Sequence, residues 1–489
     1  MRNSFLALIT VACLASCTTL EPAYERPPAP IPSRFPDGAA YKDGGNTNST
    51  PASQIGWRDF LVDPRLQRLV EIALRNNRDL RVAALNVRQV QAQYRIQRSA
   101  LFPSVAAFAD ESAARAPGKT PEAAHIYSAG VAAAWEIDFF GRLQSLSDAA
   151  LQQYFASVEA RQAAEILLVS EVADQYLTML ALDEQLAVTR QTLATAEASY
   201  KIVKLQFDTG TAPELALRQA QSVVELANAN LAAQIRGRAQ SENALVLLLG
   251  QAPPPDLPPM VRLGEQRILA DIPAGLPSVL LERRPDVLQA EALLRSENAN
   301  IGAARAAFFP SISLTGDLGS SSTTLGGLLG ASPYAWAFAS SINLPIFEGG
   351  ALQANLDAAR IRKDIGVAQY EKAIQTAFRE VADGLAARGT YDDQLAAQER
   401  YTATQRRSLE LAEFRYRTGV DGYLNVLAAQ TGLYDAQQAL VTTRLQRLTN
   451  LVDLYRTLGG GWIEHTGDRR AATLQKSNSP VRSPSGAES

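Results

Sequence analysis

The chain has 489 residues, with 47 Lys+Arg against 50 Asp+Glu, and its net charge of −3 argues against a nucleic-acid partner. With 46% hydrophobic residues it can bury large cores, yet no apolar run beyond the first twenty positions is long enough for a transmembrane helix. Its only cysteines are Cys13 and Cys17 and its only histidines His125 and His465, which leaves too few residues for a disulfide scaffold or a Cys/His metal centre.

Met1 to Ser4 is a short basic start, followed by an apolar run from Phe5 to Ala15. Such a run is too short to span a bilayer and suits the core of a signal peptide. It ends in Leu14-Ala15-Ser16-Cys17, which resembles the bacterial lipobox. The expectation is a signal peptide over 1–16, a lipid on Cys17, and loss of Cys13 with the signal. Residues 17–55 then read as a lipidated strap, because Pro22, Pro27, Pro28, Pro30, Pro32 and Pro36 disfavour helix and favour extended chain.

The body opens with a helix predicted from Pro64 to about Leu101, carrying Leu66, Leu69, Ile72, Ala73, Leu80, Val87 and Val90 at three- and four-residue spacing. Pro103 ends it. A β-hairpin is predicted near 104–140, where Tyr127, Ala129, Val131, Ala133, Trp135 and Ile137 alternate with Ser128, Gly130, Ala132, Ala134 and Glu136. A helical run from Arg142 to Phe207 follows, which as one continuous helix would reach about 100 Å. The chain turns at a tip near 208–213 and returns as helix to Leu249.

After a Pro-rich connector at 251–277 the design repeats. Arg98 to Pro103 matches Arg305 to Pro310, and Phe207-Asp-Thr-Gly210 matches Tyr416-Arg-Thr-Gly419, at offsets of 207 and 209. Residues 56–250 and 278–460 are therefore two tandem repeats. The second has its hairpin near 311–347, with Tyr334, Trp336, Phe338, Ile342 and Leu344 on one face, and its tip near 417–422. Its last helix, from Tyr423, shows a leucine seam near coiled-coil spacing. The polar stretch 461–489 reads as a disordered tail.

Strands of about ten residues with one apolar, aromatic-edged face and one small or polar face suit a membrane β-barrel, with Tyr127, Trp135, Tyr334 and Trp336 towards lipid. Four strands cannot close a barrel, whose minimum is about eight, so several chains must pool theirs. A soluble sandwich fits poorly, since about 170 helical residues separate the strand pairs. A lipid-anchored coiled-coil scaffold without a pore explains the helices but not the hairpins. No nucleophile-elbow, metalloprotease or phosphate-loop pattern occurs, so no catalytic residue, metal site or cofactor is expected. Arg284-Pro285-Asp286 reads structurally: proline suits a first helical turn and aspartate the positive helix end.

Several stretches together resemble the outer-membrane factor family, the TolC-like ducts, in the lipoprotein branch of multidrug-efflux channels. They are Gly56-Trp57-Arg-Asp-Phe60, Asn76-Asn-Arg-Asp-Leu80, Trp135-Glu-Ile-Asp138-Phe-Phe-Gly141-Arg142, Leu276 to Asp286, Leu344-Pro-Ile-Phe347-Glu-Gly-Gly350 and Tyr416 to Leu427. The resemblance implies an α+β membrane protein: a homotrimer with a 12-stranded outer-membrane barrel, four strands per chain, continued by a long periplasmic α-helical barrel. It also implies a passive, non-enzymatic duct of an RND-type efflux system, anchored to outer-membrane lipid, with a periplasmic adaptor and an inner-membrane pump as partners. Adaptor docking falls at Thr209, Gly210, Thr418 and Gly419, and the periplasmic gate at Leu424, Tyr416, Asp421 and Asn425. Leu424 fits the coiled-coil seam equally well. The family's usual acidic residue is replaced by Ala428, so closure is expected to lean on apolar contact. Type I protein secretion and metal efflux are the rival duties for the same duct; three Met and two His speak against metal.

Overall fold

The computed structural model describes residues 19–41, 50–115, 123–269, 277–328 and 334–468. The signal segment, Cys17 and the stretch beyond Asp468 lie outside them. In chain order the helices and strands are α1 (Trp57–Phe60), α2 (Pro64–Asn76), α3 (Arg78–Ser99), β1 (Ser104–Ala114), β2 (Ala124–Ile137), α4 (Arg142–Asp208), α5 (Glu214–Leu249), α6 (Pro277–Arg283), α7 (Pro285–Ala306), β3 (Ser311–Ser322), α8 (Leu325–Leu328), β4 (Tyr334–Asn343), α9 (Ala351–Arg417) and α10 (Tyr423–Thr457).

The duplication is visible in the elements themselves. Helices α4 and α9 have 67 residues each and begin 209 positions apart; α3 and α7 have 22 each and begin 207 apart. The described residues fall into two compact units. One takes in 19–29, 84–159 and 288–373 and carries the sheet; the other takes in 30–83, 160–287 and 374–468.

In the first unit the four strands form one antiparallel sheet in the order β1-β2-β3-β4. Residues opposite one another across a rung share a face, so the register sorts the side chains. One rung sets Ala107, Val131, Leu318 and Trp336 side by side; the next sets Ala106, Ala132, Asp317 and Ala337 on the opposite face. Gly130 faces Gly319 at a close backbone approach, where a β-carbon on Gly130 would lie 2.5 Å from the Leu318 carbonyl. Each outer strand leaves one edge unpaired by described residues.

The second unit holds the main hydrophobic core, where Leu66, Leu69 and Ile72 of α2 meet Val172 and Leu177 of α4, Leu245 and Leu249 of α5, and Val452 and Leu454 of α10. Asp63 caps α2 by accepting the Arg65 and Leu66 amides, and its other oxygen accepts from the Tyr176 hydroxyl at 3.0 Å. Tyr455 stacks on Phe60 and donates to the Ile55 carbonyl at 2.6 Å.

Two expectations change. The single helix expected from Pro64 to Leu101 is two helices broken at Asn77. That side chain accepts the Leu80 amide at 2.8 Å, capping α3, and donates to the Leu248 carbonyl at 2.9 Å. The tail expected to be disordered from 461 is structured to Asp468. The Trp57 and Arg58 amides donate to the carbonyls of Ile463 and Glu464 at 2.8 and 3.2 Å, and the Thr466 amide donates to Asp59 at 2.7 Å. These bonds satisfy backbone groups that sequence polarity alone would leave to water.

Candidate channel gate and membrane surface

Both long helices stop in the same way. Gly210 and Gly419 take the left-handed conformation at φ of 75° and 73°, which glycine adopts without strain. The amides of Gly210 and Thr211 donate to the carbonyls of Phe207 and Gln206 at 2.9 and 2.8 Å. Those of Gly419 and Val420 donate to Tyr416 and Arg415 at 3.0 and 2.9 Å. This is the Schellman ending, built twice. Thr209 and Thr418 turn their hydroxyls back to the carbonyls of Leu205 and Phe414 at 2.9 and 3.1 Å. A β-carbon on either glycine would meet nothing within 4 Å, so both turns stand open.

Beside these turns α9 is tied to α4 and to the start of α10. The Tyr416 hydroxyl donates to Gln206 Oε1 at 2.8 Å, and its ring meets Tyr423 edge-on at 5.5 Å. Arg415 holds Asp421 through both carboxylate oxygens, at 2.5 and 3.0 Å. The hydrogen bond from Arg415, aided by one from Asn425, keeps the Asp421 carboxyl below the usual aspartate range. Tyr416, Asp421 and Asn425 therefore belong to one polar cluster. Leu424 stands outside it and is 57% exposed, while Val426 and Gln430 take the buried positions. Within the chain, Leu424 is not a seam residue.

Sequence reasoning missed Gln206 and Arg415, the partners of Tyr416 and Asp421. They occupy equivalent places in the two repeats, 209 apart, so aligning the repeats was the signal that could have found them.

On the sheet, Tyr127, Trp135, Tyr334 and Trp336 all fall on the Val131–Leu318 face. Trp336 is 76% exposed, and Phe338 and Ile342, further along the same face of β4, are exposed too. Trp135 donates its indole N–H to the Leu101 carbonyl at 3.1 Å, which satisfies the polar edge of a ring on an apolar surface. The four strands contain no Lys or Arg. The opposite face carries Asp110, Glu136 and Asp317 among mostly small residues, with Phe108 and Ile126 the large apolar ones. Glu111 and His125, paired at 2.9 Å, are exceptions on the first face and sit beside Tyr127 at one end of it. No described helix is long and apolar enough to cross a membrane, and no described trio of His, Cys, Asp or Glu could hold a metal ion.

A sheet with one mostly apolar and one mostly small or polar face, in a chain with paired long helices, defines a component of a membrane channel. Known proteins agree. The family model described as "Outer membrane efflux protein" matches residues 69–251 and 276–460. The toluene efflux pump outer membrane protein TtgC of Pseudomonas putida is 46% identical over 473 residues, covering 96% of this chain and 97% of that protein. The outer membrane protein OprJ of Pseudomonas aeruginosa is 44% identical over 94% of this chain and 96% of its own length. Among solved structures, the open state of the Neisseria gonorrhoeae MtrE outer membrane channel aligns with a TM-score of 0.83 and 39% identity, covering 92% of this chain and all of that one. The chain belongs to the outer membrane efflux protein family. It is an outer-membrane channel component of an efflux pump, extends into the periplasm, and is not an enzyme.

Proposed function

We propose that three copies of this chain pool their strands into a closed twelve-stranded barrel, with α4, α5, α9 and α10 of each copy continuing the duct through the periplasm. The observation that carries this is the sheet: its side chains sort into a mostly apolar and a mostly small or polar face, and among the described residues both outer edges lack partners. Closure removes such edges, and four strands are too few to close alone. Tyr127, Trp135, Tyr334 and Trp336 then face lipid, and Asp110 and Asp317 face the channel.

The open turns at Thr209-Gly210 and Thr418-Gly419 dock a periplasmic adaptor that links the duct to an RND-type inner-membrane pump. Tyr416, Asp421 and Asn425 latch the periplasmic end, and Leu424 supplies an apolar ring at the constriction. Cys17 carries the lipid anchor. The cargo follows from relatives whose names specify antibiotics and toluene: small apolar or amphiphilic compounds, moved passively at the pump's expense of energy.

Photo-cross-linking from positions 211 and 420 in whole cells tests the assembly. The expected product joins this chain to an adaptor that co-purifies with an inner-membrane pump. Capture of only its own copies at both positions would remove the docking assignment.

A further inference from the structure

Residues Leu20 to Arg26 run antiparallel to α7 along a single stripe of that helix, one contact after another. Arg305 donates to the Leu20 carbonyl at 3.2 Å. Gly302 leaves the space for Glu21 and for Ser145 of α4, since a β-carbon there would lie 2.9 Å from the Glu21 Cα and amide nitrogen and 2.6 Å from Ser145 Oγ. Asn298 donates to the Glu21 side chain at 3.1 Å and the Pro22 carbonyl at 2.7 Å. The Arg295 guanidinium stacks over the Tyr24 ring at 4.8 Å. Glu291, 3% exposed, accepts from Tyr24 at 3.3 Å and from Arg26 at 3.1 and 2.5 Å, and pairs with Arg295 at 2.7 Å.

The spacing explains why the contacts stay in step. Positions 291, 295, 298, 302 and 305 follow alternating steps of four and three, one helix face. From Glu291 to Arg305 the helix rises about 21 Å. From Arg26 to Leu20 an extended chain covers about 20 Å. Pro22, Pro27 and Pro28 hold the strap extended before it docks, which lowers the entropy lost on docking.

The charges are matched as well. Burial would raise the Glu291 carboxyl, but Arg26 and Arg295 together hold it below its ordinary value. Burial, then the neighbouring Glu291 charge, pushes the Tyr24 phenol up to about 12. One residue beyond the ladder, Thr19 lies against Gly141, where a β-carbon would sit 2.7 Å from the Thr19 Cα. Gly141 is in the elbow between β2 and α4, the place where the strand leaves the sheet.

We propose that this stripe of α7 is a peptide-binding groove whose ligand is the chain's own strap, and that this clasp, without help from lipid, fixes the N-terminus at the foot of β2. Its recognition elements are an extended segment, an aromatic ring for Arg295, and a guanidinium two residues later for Glu291. Resting on the reading of Cys17 as the lipidated residue, the clasp sets the anchor's depth. Cys17 is two residues from Thr19, a reach of at most about 7 Å.

The test uses the full chain in outer-membrane fractions, digested with proteinase K and followed by the mass of the N-terminal end. Cys17→Ser, secreted with an ordinary signal peptide, is expected to keep residues 19–26 protected as in the parent. Tyr24→Ala combined with Arg26→Ala is expected to lose that segment at least tenfold faster. Because both changes lie in the strap, the oligomer's heat-sensitive migration should be retained, and Asn298→Ala, which removes the bonds to Glu21 and Pro22, should repeat the effect from the helix side. The proposal is overturned if Cys17→Ser exposes the strap as fast as the double variant, or if the double variant stays protected. Intact mass of the parent separately reports the lipid; an unlipidated Cys17 would sink the anchor reading and leave the clasp result standing.

Discussion

Arg284 donates from Nη1 to the Thr457 carbonyl at 3.1 Å. Asn77 makes the corresponding contact to the Leu248 carbonyl in the first repeat, at 2.9 Å, with donors 207 apart and acceptors 209 apart. Both residues sit at a break between a short helix and a 22-residue helix, and both tie that break to the last turn of a returning helix. Duplication kept the joint and changed its chemistry, because the second copy adds ion pairs from Arg284 to Asp286 and Glu380 at 2.5 and 2.8 Å.

Arg284 is 6% exposed, so removing it leaves the largely buried Glu380 carboxylate and the Thr457 carbonyl without their donor, while Asp286 stays open to water. Arg284→Ala is expected to cost about 3 kcal/mol, more than the roughly 1 kcal/mol of Asn77→Ala, whose loss is a cap and one hydrogen bond. Denaturant melts of the extracted protein check the order. Equal, small effects would contradict the clamp.

Much of this architecture was legible in the chain. Two copies of Thr-Gly at the helix ends and two runs of alternating aromatics are local signals, and each stands at a fixed offset from its twin. What was not legible depends on distant partners. Asn77 sits in a helical pattern, and only the Leu248 carbonyl and the capped Leu80 amide turn it into a break. Arg415 and Gln206 are unremarkable surface types until Asp421 and Tyr416 arrive beside them. Leu424 fitted a seam and a gate equally, and its exposure shows only that it packs in no seam within the chain.

Asp174 on α4 gives a pH signature. Burial, helped by the Asp453 charge and opposed by Arg456, pushes its carboxyl from 3.8 to about 7, and its Oδ1 is buried with no hydrogen-bond partner. The folded chain therefore holds a proton that the unfolded chain has released between about pH 4 and 7. The resulting penalty is absent below that window, grows as pH rises through it, and is complete above it. Asp174→Asn should raise the melting temperature at pH 8 and converge with the parent near pH 4. A shift of the same size at both pH values would show that ionisation is not the cause.

The sheet register predicts opposite outcomes at neighbouring positions. Leu318→Lys places a charge on the apolar face, where the cost near the membrane centre is about 2–4 kcal/mol, and should sharply reduce assembled oligomer. Asp317→Lys, on the opposite face, should assemble normally and shift ion preference towards anions. Heat-sensitive migration of membrane extracts reads the first, reversal potentials the second. Equal tolerance of both would refute the assignment of faces.

At the proposed constriction, Leu424→Ser should increase leak conductance, because a polar side chain would no longer exclude water from the proposed ring. Ala428→Asp should install an acidic ring and raise cation preference or block by divalent ions. Parent-like leak in the first variant, or unchanged selectivity in the second, would move the gate elsewhere.

The central claim is that copies of this chain form a pore latched at its periplasmic end. Single-channel recording of the purified oligomer in planar lipid bilayers tests it most directly. The account predicts discrete, small conductance steps for the parent, and several-fold larger steps when Tyr416→Phe and Asp421→Asn remove both latches together. A well-assembled oligomer that gives no discrete steps, or a double variant indistinguishable from the parent, would contradict it.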